Sequence, residues 1–217
     1  LNLPKTISRY RAWLEKNPGD SISHANLVMA YDLADDIPTE KAQAERRRWY
    51  EAHAAKFARG DSAHANALDS ERPLRIAYLS ADVRQHSAMY AIAPLIGYHD
   101  RERFHVSVYS STTIQDHYTQ AVRDSCRMGG AFYDVSRNWP DANLAYFIEQ
   151  NRVDILIDCS GHSAGFRLGV LARKPAPIQI SAFGYNLGTG LPQVDWLVSD
   201  PVHIVKADRN LYTERIL

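Results

Sequence analysis

From Pro73 onward, short apolar segments rich in β-branched residues alternate with segments of helical periodicity. Strands are predicted at Arg75–Leu79, His105–Tyr109, Phe132–Asp134, Val153–Ile157, Ile178–Ala182 and Trp196–Val198. Helices are predicted between them, near Met89–Tyr98, Thr119–Met128, Asn143–Gln150 and Phe166–Ala172. Short strands separated by helices form parallel βαβ units with right-handed crossovers. The pattern therefore predicts an α/β, Rossmann-like fold built on an open parallel sheet.

The beginning of the chain shows helical rather than strand periodicity. Apolar residues recur at helical spacing in LNLPKTISRYRAWLEK, and the turn sequence NPGD ends that helix. Asp20 or Ser21 is predicted to cap a second helix, and a third helix is predicted to begin at Pro38. Residues 1–60 are therefore predicted to form a helical lead-in.

A basic run of three arginines, residues 46–48, lies on the third predicted helix and is interpreted as a solvent-exposed face. Polar, turn-rich residues 61–73 are predicted to be a linker, and the α/β part is predicted over residues 74–217. The chain begins at Leu1 rather than at a methionine and ends without a polar tail. We therefore expect it to be a segment of a longer protein.

The composition has no charge bias, with 25 basic and 25 acidic residues. Nucleic-acid-binding modules normally have a clustered basic excess, so no nucleic-acid partner is expected. Neither a signal peptide nor a long apolar span is found, so we expect no membrane association and a cytoplasmic location. The two cysteines, Cys126 and Cys159, lack metal-ligand spacing. They are predicted to be buried reduced thiols, although a disulfide between them is the alternative.

In open parallel sheets, ligands bind beyond the carboxyl ends of the strands. The segments that follow the first five predicted strands are rich in Ser, Gly, His, Asp and Asn: SADVRQHSAMY, SSTTIQDH, VSRNWPD, DCSGHSAG and FGYNLGTG. The chemistry is therefore predicted to lie at this edge of the sheet. His86, in the first segment, is either a proton shuttle or hydrogen-bond donor there, or a plain surface histidine.

The sequence GHSAG, residues 161–165, matches the nucleophile elbow of esterases, which would make Ser163 a nucleophile. Such an enzyme needs an acid and then a histidine after the serine, and little of the chain remains to supply them. The oxyanion-hole glycine run is also not found, so a hydrolase is the least favoured reading. The glycines otherwise indicate a turn with positive φ, or a helix N-terminus facing a ligand.

A second glycine-rich segment, GYNLGTG, occupies residues 184–190. Its glycines would let the backbone approach phosphate or sugar oxygens, and Thr189 would add a hydroxyl donor. It matches neither the P-loop nor the dinucleotide-binding fingerprint. A plain loop is the alternative.

Together these segments resemble glycosyltransferase family 41, the protein O-linked N-acetylglucosamine transferases, in its bacterial form. SISHANLVMAYDLADDIPTEKAQAERRRWYEAHAAKF is similar to the last tetratricopeptide-like helices and the linking helix of that family. RPLRIAYLSADVRQHSAMYAIAPLIGYHDRERFHVSVYS resembles its opening strand, histidine loop, helix and second strand. The most specific block is DILIDCSGHSAGFRLGVLARKPAPIQISAFGYNLGTGLPQVDWLVSDP.

The resemblance implies a GT-B architecture, in which two Rossmann-like lobes enclose the active site. It covers the helical lead-in and the N-terminal lobe; the C-terminal lobe, which makes most nucleotide contacts in the family, is not covered. It implies transfer of N-acetylglucosamine from UDP-GlcNAc to Ser or Thr hydroxyls of a protein or peptide, with no metal or cofactor. The segment alone is expected to be inactive.

Site residues are also implied by the resemblance. His86 matches the family histidine near the reacting sugar and acceptor, and Asp134 matches an aspartate that assists proton movement through water. The residues that match donor-binding positions are Gly184, Tyr185, Gly188, Thr189 and, in the other glycine turn, His162.

Departures from the family pattern keep alternatives open. The second glycine loop often reads Gly-Tyr-Pro-Gly-Thr in the family, whereas this chain has Asn186 and Leu187 before the glycine. Glu149 stands where some members have a histidine. A catalytically incomplete helical-repeat and Rossmann-like interaction module, a GDP-fucose-dependent protein O-fucosyltransferase and another GT-B enzyme such as a sugar-nucleotide epimerase therefore remain alternatives.

Overall fold

Three helices precede the sheet in the computed structural model, which describes residues 2–60, 63–69 and 71–217. They are α1 (Leu3–Lys16), α2 (Ser21–Asp32) and α3 (Thr39–His53), followed by a 3-10 turn at Ala55–Phe57. Of the two capping candidates, Asp20 is the N-cap of α2, since its carboxylate accepts a hydrogen bond from the Ser23 amide at 3.0 Å. Three residues of the predicted linker, 61, 62 and 70, lie outside the described residues, so the division of the chain at that segment stays a prediction.

In the described part of the chain, seven strands form one parallel sheet in the order β3-β2-β1-β4-β5-β6-β7. The strands are β1 (Leu74–Ser80), β2 (Phe104–Ser110), β3 (Gly130–Asp134), β4 (Ile155–Asp158), β5 (Ile178–Ser181), β6 (Trp196–Leu197) and β7 (Arg215–Ile216). All six predicted strands are confirmed to within two residues, and β7 was not predicted. The α/β class and the parallel sheet are therefore as expected.

Four helices connect the strands: α4 (Ser87–Tyr98), α5 (His117–Cys126), α6 (Asp141–Gln150) and α7 (Leu168–Ala172). A 3-10 helix follows at Lys206–Leu211. The α5 helix begins at a capping box, in which the Asp116 carboxylate accepts from the Thr119 amide at 3.1 Å. Among the described residues, no helix combines the length and the apolar character needed to cross a membrane.

The strands alternate their side chains between two buried faces. On β1, Ala77 and Leu79 pack in the cluster that contains α6 and α7, whereas Ile76 and Tyr78 pack in the cluster that contains α4 and α5. Because helices cover both faces, the central strands read as nearly continuous apolar runs. Cys126 and Cys159 are both free and buried, which confirms the predicted reduced thiols.

Trp49 joins the helical lead-in to the sheet. This α3 residue is 2% exposed and belongs to the same apolar cluster as α6 and α7. Its indole N–H donates to the Ser21 carbonyl at 2.9 Å, and its ring packs edge-on against His162, with the centroids 5.2 Å apart. The α3 helix therefore packs directly on the loops at the carboxyl edge of the sheet.

Candidate active site

Hydrogen bonds join the loops at the carboxyl edge of the sheet. In the loop after β1, the Ala81 amide donates to the Ser160 hydroxyl of the loop after β4 at 3.0 Å. The Gln85 amide donates to the Asp116 carboxylate of the loop after β2 at 2.6 Å. The predicted convergence of these segments is confirmed.

His86 is the N-cap residue of α4. Its Nδ1 accepts a hydrogen bond from the Ala88 amide at 3.3 Å, and its Nε2 lies 3.8 Å from a carboxylate oxygen of Asp82. The side chain is 36% exposed. Because Nδ1 faces an N–H group, the neutral ring holds its proton on Nε2. His86 therefore presents an N–H donor at the edge of the sheet, which favours the donor role over that of a free base.

Asp134 ends β3, at the side of the sheet away from the glycine loop. Its side chain is exposed and accepts from the Ser136 amide at 3.0 Å. Hydrogen bonds from the Ser136 side chain and backbone hold the pKa of Asp134 below its usual value. The β1 strand of His86 lies between β3 and β5, two strand spacings or roughly 10 Å from each. Asp134 is exposed, whereas His86 is partly exposed.

The GHSAG turn is held by Asp158, at the end of β4. Its carboxylate accepts from the Ser160 amide at 3.3 Å and from the Gly161 amide at 2.8 Å. The Ser163 hydroxyl donates to the Ser160 carbonyl at 2.6 Å, and that carbonyl, not a histidine, is the partner described for it. Gly161 and Gly165 have positive φ angles of 50° and 80°, as the turn reading requires. The geometry is that of a structural turn, not of an activated serine.

Asp158 gives the stability of the protein a specific pH dependence. Burial raises the pKa of Asp158 to about 6. A carboxyl whose folded-state pKa is raised binds its proton more tightly when folded, so its contribution to stability falls as pH rises from about 4 to 6. We expect Asp158→Asn to gain stability relative to the wild type by up to about 3 kcal/mol across that interval. Urea unfolding of both proteins at several pH values would show it, and parallel pH profiles would contradict it.

In the second glycine loop, residues 184–190, other parts of the protein lie directly against the backbone of two glycines. A Cβ atom at Gly184 would lie 1.7 Å from the Cys159 carbonyl oxygen. At Gly190, where φ is +76°, it would lie 2.6 Å from the Cβ of Arg46 on α3. The sequence predicts that these glycines let a ligand approach the backbone. At Gly184 and Gly190, the groups that approach the backbone are instead the end of β4 and the α3 helix.

Gly184→Ala is expected to destabilise the protein by about 1–3 kcal/mol, because the new methyl group must displace backbone. The matched control is Gly97→Ala, since a Cβ at Gly97 on α4 meets nothing within 4 Å. That control should be neutral or stabilising, as alanine favours a helix. Equal thermal unfolding midpoints for the two variants would contradict the close approach.

Thr189 and His162 are buried and bonded to one another, and Thr189 is also bonded to Glu214. The Thr189 amide and hydroxyl both donate to a Glu214 carboxylate oxygen at 2.5 Å, and the Thr189 carbonyl accepts from His162 Nε2 at 2.8 Å. Burial lowers the pKa of His162 to about 3, so this ring is neutral. Their predicted role at the donor stays a prediction, but these side chains point into the protein.

The interpretation of residues 46–48 as an exposed basic face is wrong for its first member. Arg46 is 0% exposed, and its NH2 group lies 2.6 Å from an Asp32 carboxylate oxygen on α2. The same nitrogen donates to the Tyr185 hydroxyl at 2.9 Å, and Nε donates to the Gly188 carbonyl at 3.0 Å. The Tyr185 hydroxyl also bonds the Asp32 carboxylate. Only the side chain of Arg48, 67% exposed, fits the original interpretation.

Arg46, Asp32 and Glu214 are therefore site residues that the sequence reading missed. A signal for Arg46 was present, since positions 42, 46 and 49 fall on one helical face and hold Ala42, Arg46 and Trp49. A charge on an apolar stripe indicates a buried ion pair or an interface. No local signal identified Glu214, which is 3% exposed and far along the chain from Thr189.

Comparison with known proteins finds relatives that match nearly the whole chain. A family model described as Glycosyl transferase family 41 matches residues 5–217. A solved structure of an O-GlcNAc transferase mutant from Thermobaculum terrenum superposes with a TM-score of 0.91 and 28% identity. It covers 99% of this chain, which in turn covers 40% of that structure.

Among curated proteins, the chain is similar to plant proteins named probable UDP-N-acetylglucosamine–peptide N-acetylglucosaminyltransferase SPINDLY. The one from Oryza sativa is 30% identical over 89% of this chain and 21% of its own length. The one from Eustoma exaltatum is 40% identical over 70% of this chain and 17% of its own length. The chain thus spans about a fifth of the length of these relatives.

Proposed function

The chain belongs to glycosyl transferase family 41, and from this we propose that it forms the N-terminal catalytic lobe of a protein O-linked glycosyltransferase. The enzyme transfers N-acetylglucosamine from UDP-GlcNAc to Ser or Thr hydroxyls of proteins or peptides. The observation that supports this most strongly is the superposition on an O-GlcNAc transferase over 99% of the chain. A second lobe completes the cleft in this proposal, and the location is the cytoplasm.

The proposed reaction joins an acceptor oxygen to the sugar and releases a nucleoside diphosphate. The leaving diphosphate needs hydrogen-bond donors as its charge develops, and the acceptor hydroxyl must lose its proton. We assign His86 to the first of these tasks, because its Nε2–H is a hydrogen-bond donor and lies beside Asp82 at the carboxyl edge. We assign Asp134 to orient the water through which the acceptor proton leaves to solvent, since its lowered pKa keeps it an ionised hydrogen-bond acceptor. The proposed reaction involves no metal ion or organic cofactor.

The donor-side residues divide into two groups in this proposal. Gly184 and Gly188 shape the backbone that faces the donor. Tyr185, Thr189 and His162 hold that backbone from behind, because their polar groups are bonded within the protein.

Calorimetry tests the proposal with UDP, UDP-GlcNAc and GDP-fucose as ligands. Each is titrated into this chain alone and into the protein at its full natural length. We expect UDP and UDP-GlcNAc to bind the full-length protein and to bind the chain alone much more weakly. Preference for GDP-fucose would favour an O-fucosyltransferase. A folded full-length protein that binds none of them would contradict the transferase proposal and favour an interaction module.

A further inference from the structure

The α3 helix holds two consecutive carbonyl groups of the second glycine loop. Gln43 Nε2 donates to the Leu187 carbonyl at 2.9 Å, and Arg46 Nε donates to the Gly188 carbonyl at 3.0 Å. Both side chains are buried, at 2% and 0% exposure. A helix of the lead-in therefore contacts the part of the loop where the backbone turns, since Gly188 has a φ of +87°.

The Arg46 guanidinium holds this contact in place by binding three partners through two of its nitrogens. Nε binds the loop backbone, while NH2 binds the Tyr185 hydroxyl at 2.9 Å and the Asp32 carboxylate at 2.6 Å. A guanidinium offers several donors in one plane, so a lysine cannot satisfy these partners together. Burial alone would lower the pKa of Arg46, but Tyr185 and Asp32 outweigh that effect and keep it charged.

We propose that Arg46 is a positioning residue for the donor loop, so that the helical lead-in sets the affinity for the sugar nucleotide. This inference rests on the proposed function, because it takes residues 184–190 to face the donor. Its new element is the dependence of the donor site on a residue of α3, outside the α/β lobe. The lead-in then contributes to donor binding as well as to any contact with the acceptor.

Steady-state kinetics and hydrogen exchange of the full-length protein test this inference. Arg46→Lys keeps the charge beside Asp32 but loses the two-point hold on Gly188 and Tyr185. We expect the donor KM to rise about tenfold or more, as for the loss of a hydrogen bond to a charged group. The acceptor KM and kcat should change by less than about threefold, a smaller effect than the loss of one such bond. Hydrogen exchange over residues 184–190 should accelerate.

Two further variants complete the design. Gln43→Met removes the bond to the Leu187 carbonyl, together with the side-chain contact to Tyr212, and leaves Arg46 in place. It should raise the donor KM in the same direction even if Arg46→Lys proves unstable. Arg48→Lys, on the exposed side of α3, is the matched control and should leave KM and exchange unchanged. Unchanged hydrogen exchange and donor KM in both Arg46→Lys and Gln43→Met would overturn the inference. A wild-type protein that transfers no sugar would instead contradict the proposed function. The two failures can be distinguished because hydrogen exchange can be measured on a protein without activity.

Discussion

Asparagine in place of His86 is expected to lower kcat about 10²–10⁴-fold, the usual contribution of a positioned proton-transfer or donor side chain. The same variant should keep the free energy of unfolding within about 0.5 kcal/mol, because asparagine is a good N-cap. In the structure Nδ1 of His86 caps α4, which is its first role, while Nε2 lies 3.8 Å from Asp82 and is free for the second, proposed role in catalysis. Asparagine preserves the first role and removes the second. Sugar transfer by the full-length protein, with urea unfolding alongside, measures both.

His86→Ala is the companion variant. Alanine removes the cap as well, so it should lose a further ~1 kcal/mol of stability while matching His86→Asn in activity. Wild-type activity in His86→Asn would show that the histidine is a structural cap only. Reading His86 as a catalytic group would then be wrong.

Arg46→Met is expected to lower the free energy of unfolding by about 3–5 kcal/mol, the usual cost of removing one partner of a buried ion pair. The Asp32 side chain, 6% exposed, would be left without its counter-ion. The Gly188 carbonyl would also lose a donor. Urea denaturation measures the loss. Arg48→Lys is the control and should stay within about 0.5 kcal/mol, since the Arg48 side chain is 67% exposed and lysine keeps the charge beside Glu45.

The double variant Arg46→Met with Asp32→Asn measures the interaction energy between the two side chains. Once Arg46 is gone, neutralising Asp32 removes an unpaired buried charge, so the combined loss should be smaller than the sum of the two single losses. Additive losses would show that the two side chains are not coupled.

The sheet was predictable because its signal is local. The central strands bury both faces, so they appear as short apolar runs, and the helices between strands follow the 3.6-residue period. The β7 strand was not predicted because Arg215–Ile216 follows a charged residue and lacks the apolar run, residues 196–198, that marks the equally short β6. So short a segment has no periodicity of its own.

The site was predictable in position but not in orientation. Polar residues after parallel strands meet at one edge, which located His86 and both glycine turns there. Whether a side chain faces solvent or protein depends on α3, which packs over the second loop from more than a hundred residues away in sequence. The bonds of Thr189 to Glu214 and of Tyr185 to Arg46 were therefore not foreseen, and Arg46 was wrongly interpreted as a surface charge. The partners of these buried side chains depend on tertiary packing, although the apolar residues Ala42 and Trp49 on the same helical face gave a local sign that Arg46 is buried.

Mass spectrometry of an acceptor protein is the most direct test of the central claim, that this chain is the N-terminal lobe of a protein N-acetylglucosaminyltransferase. The full-length protein, and in parallel His86→Asn, is incubated with a protein extract and either UDP-GlcNAc or GDP-fucose. We expect acceptor Ser or Thr residues to gain one N-acetylhexosamine from UDP-GlcNAc with the wild type, and far less with the variant. Modification by fucose alone, or no modification by a folded enzyme that binds neither donor, would contradict the claim.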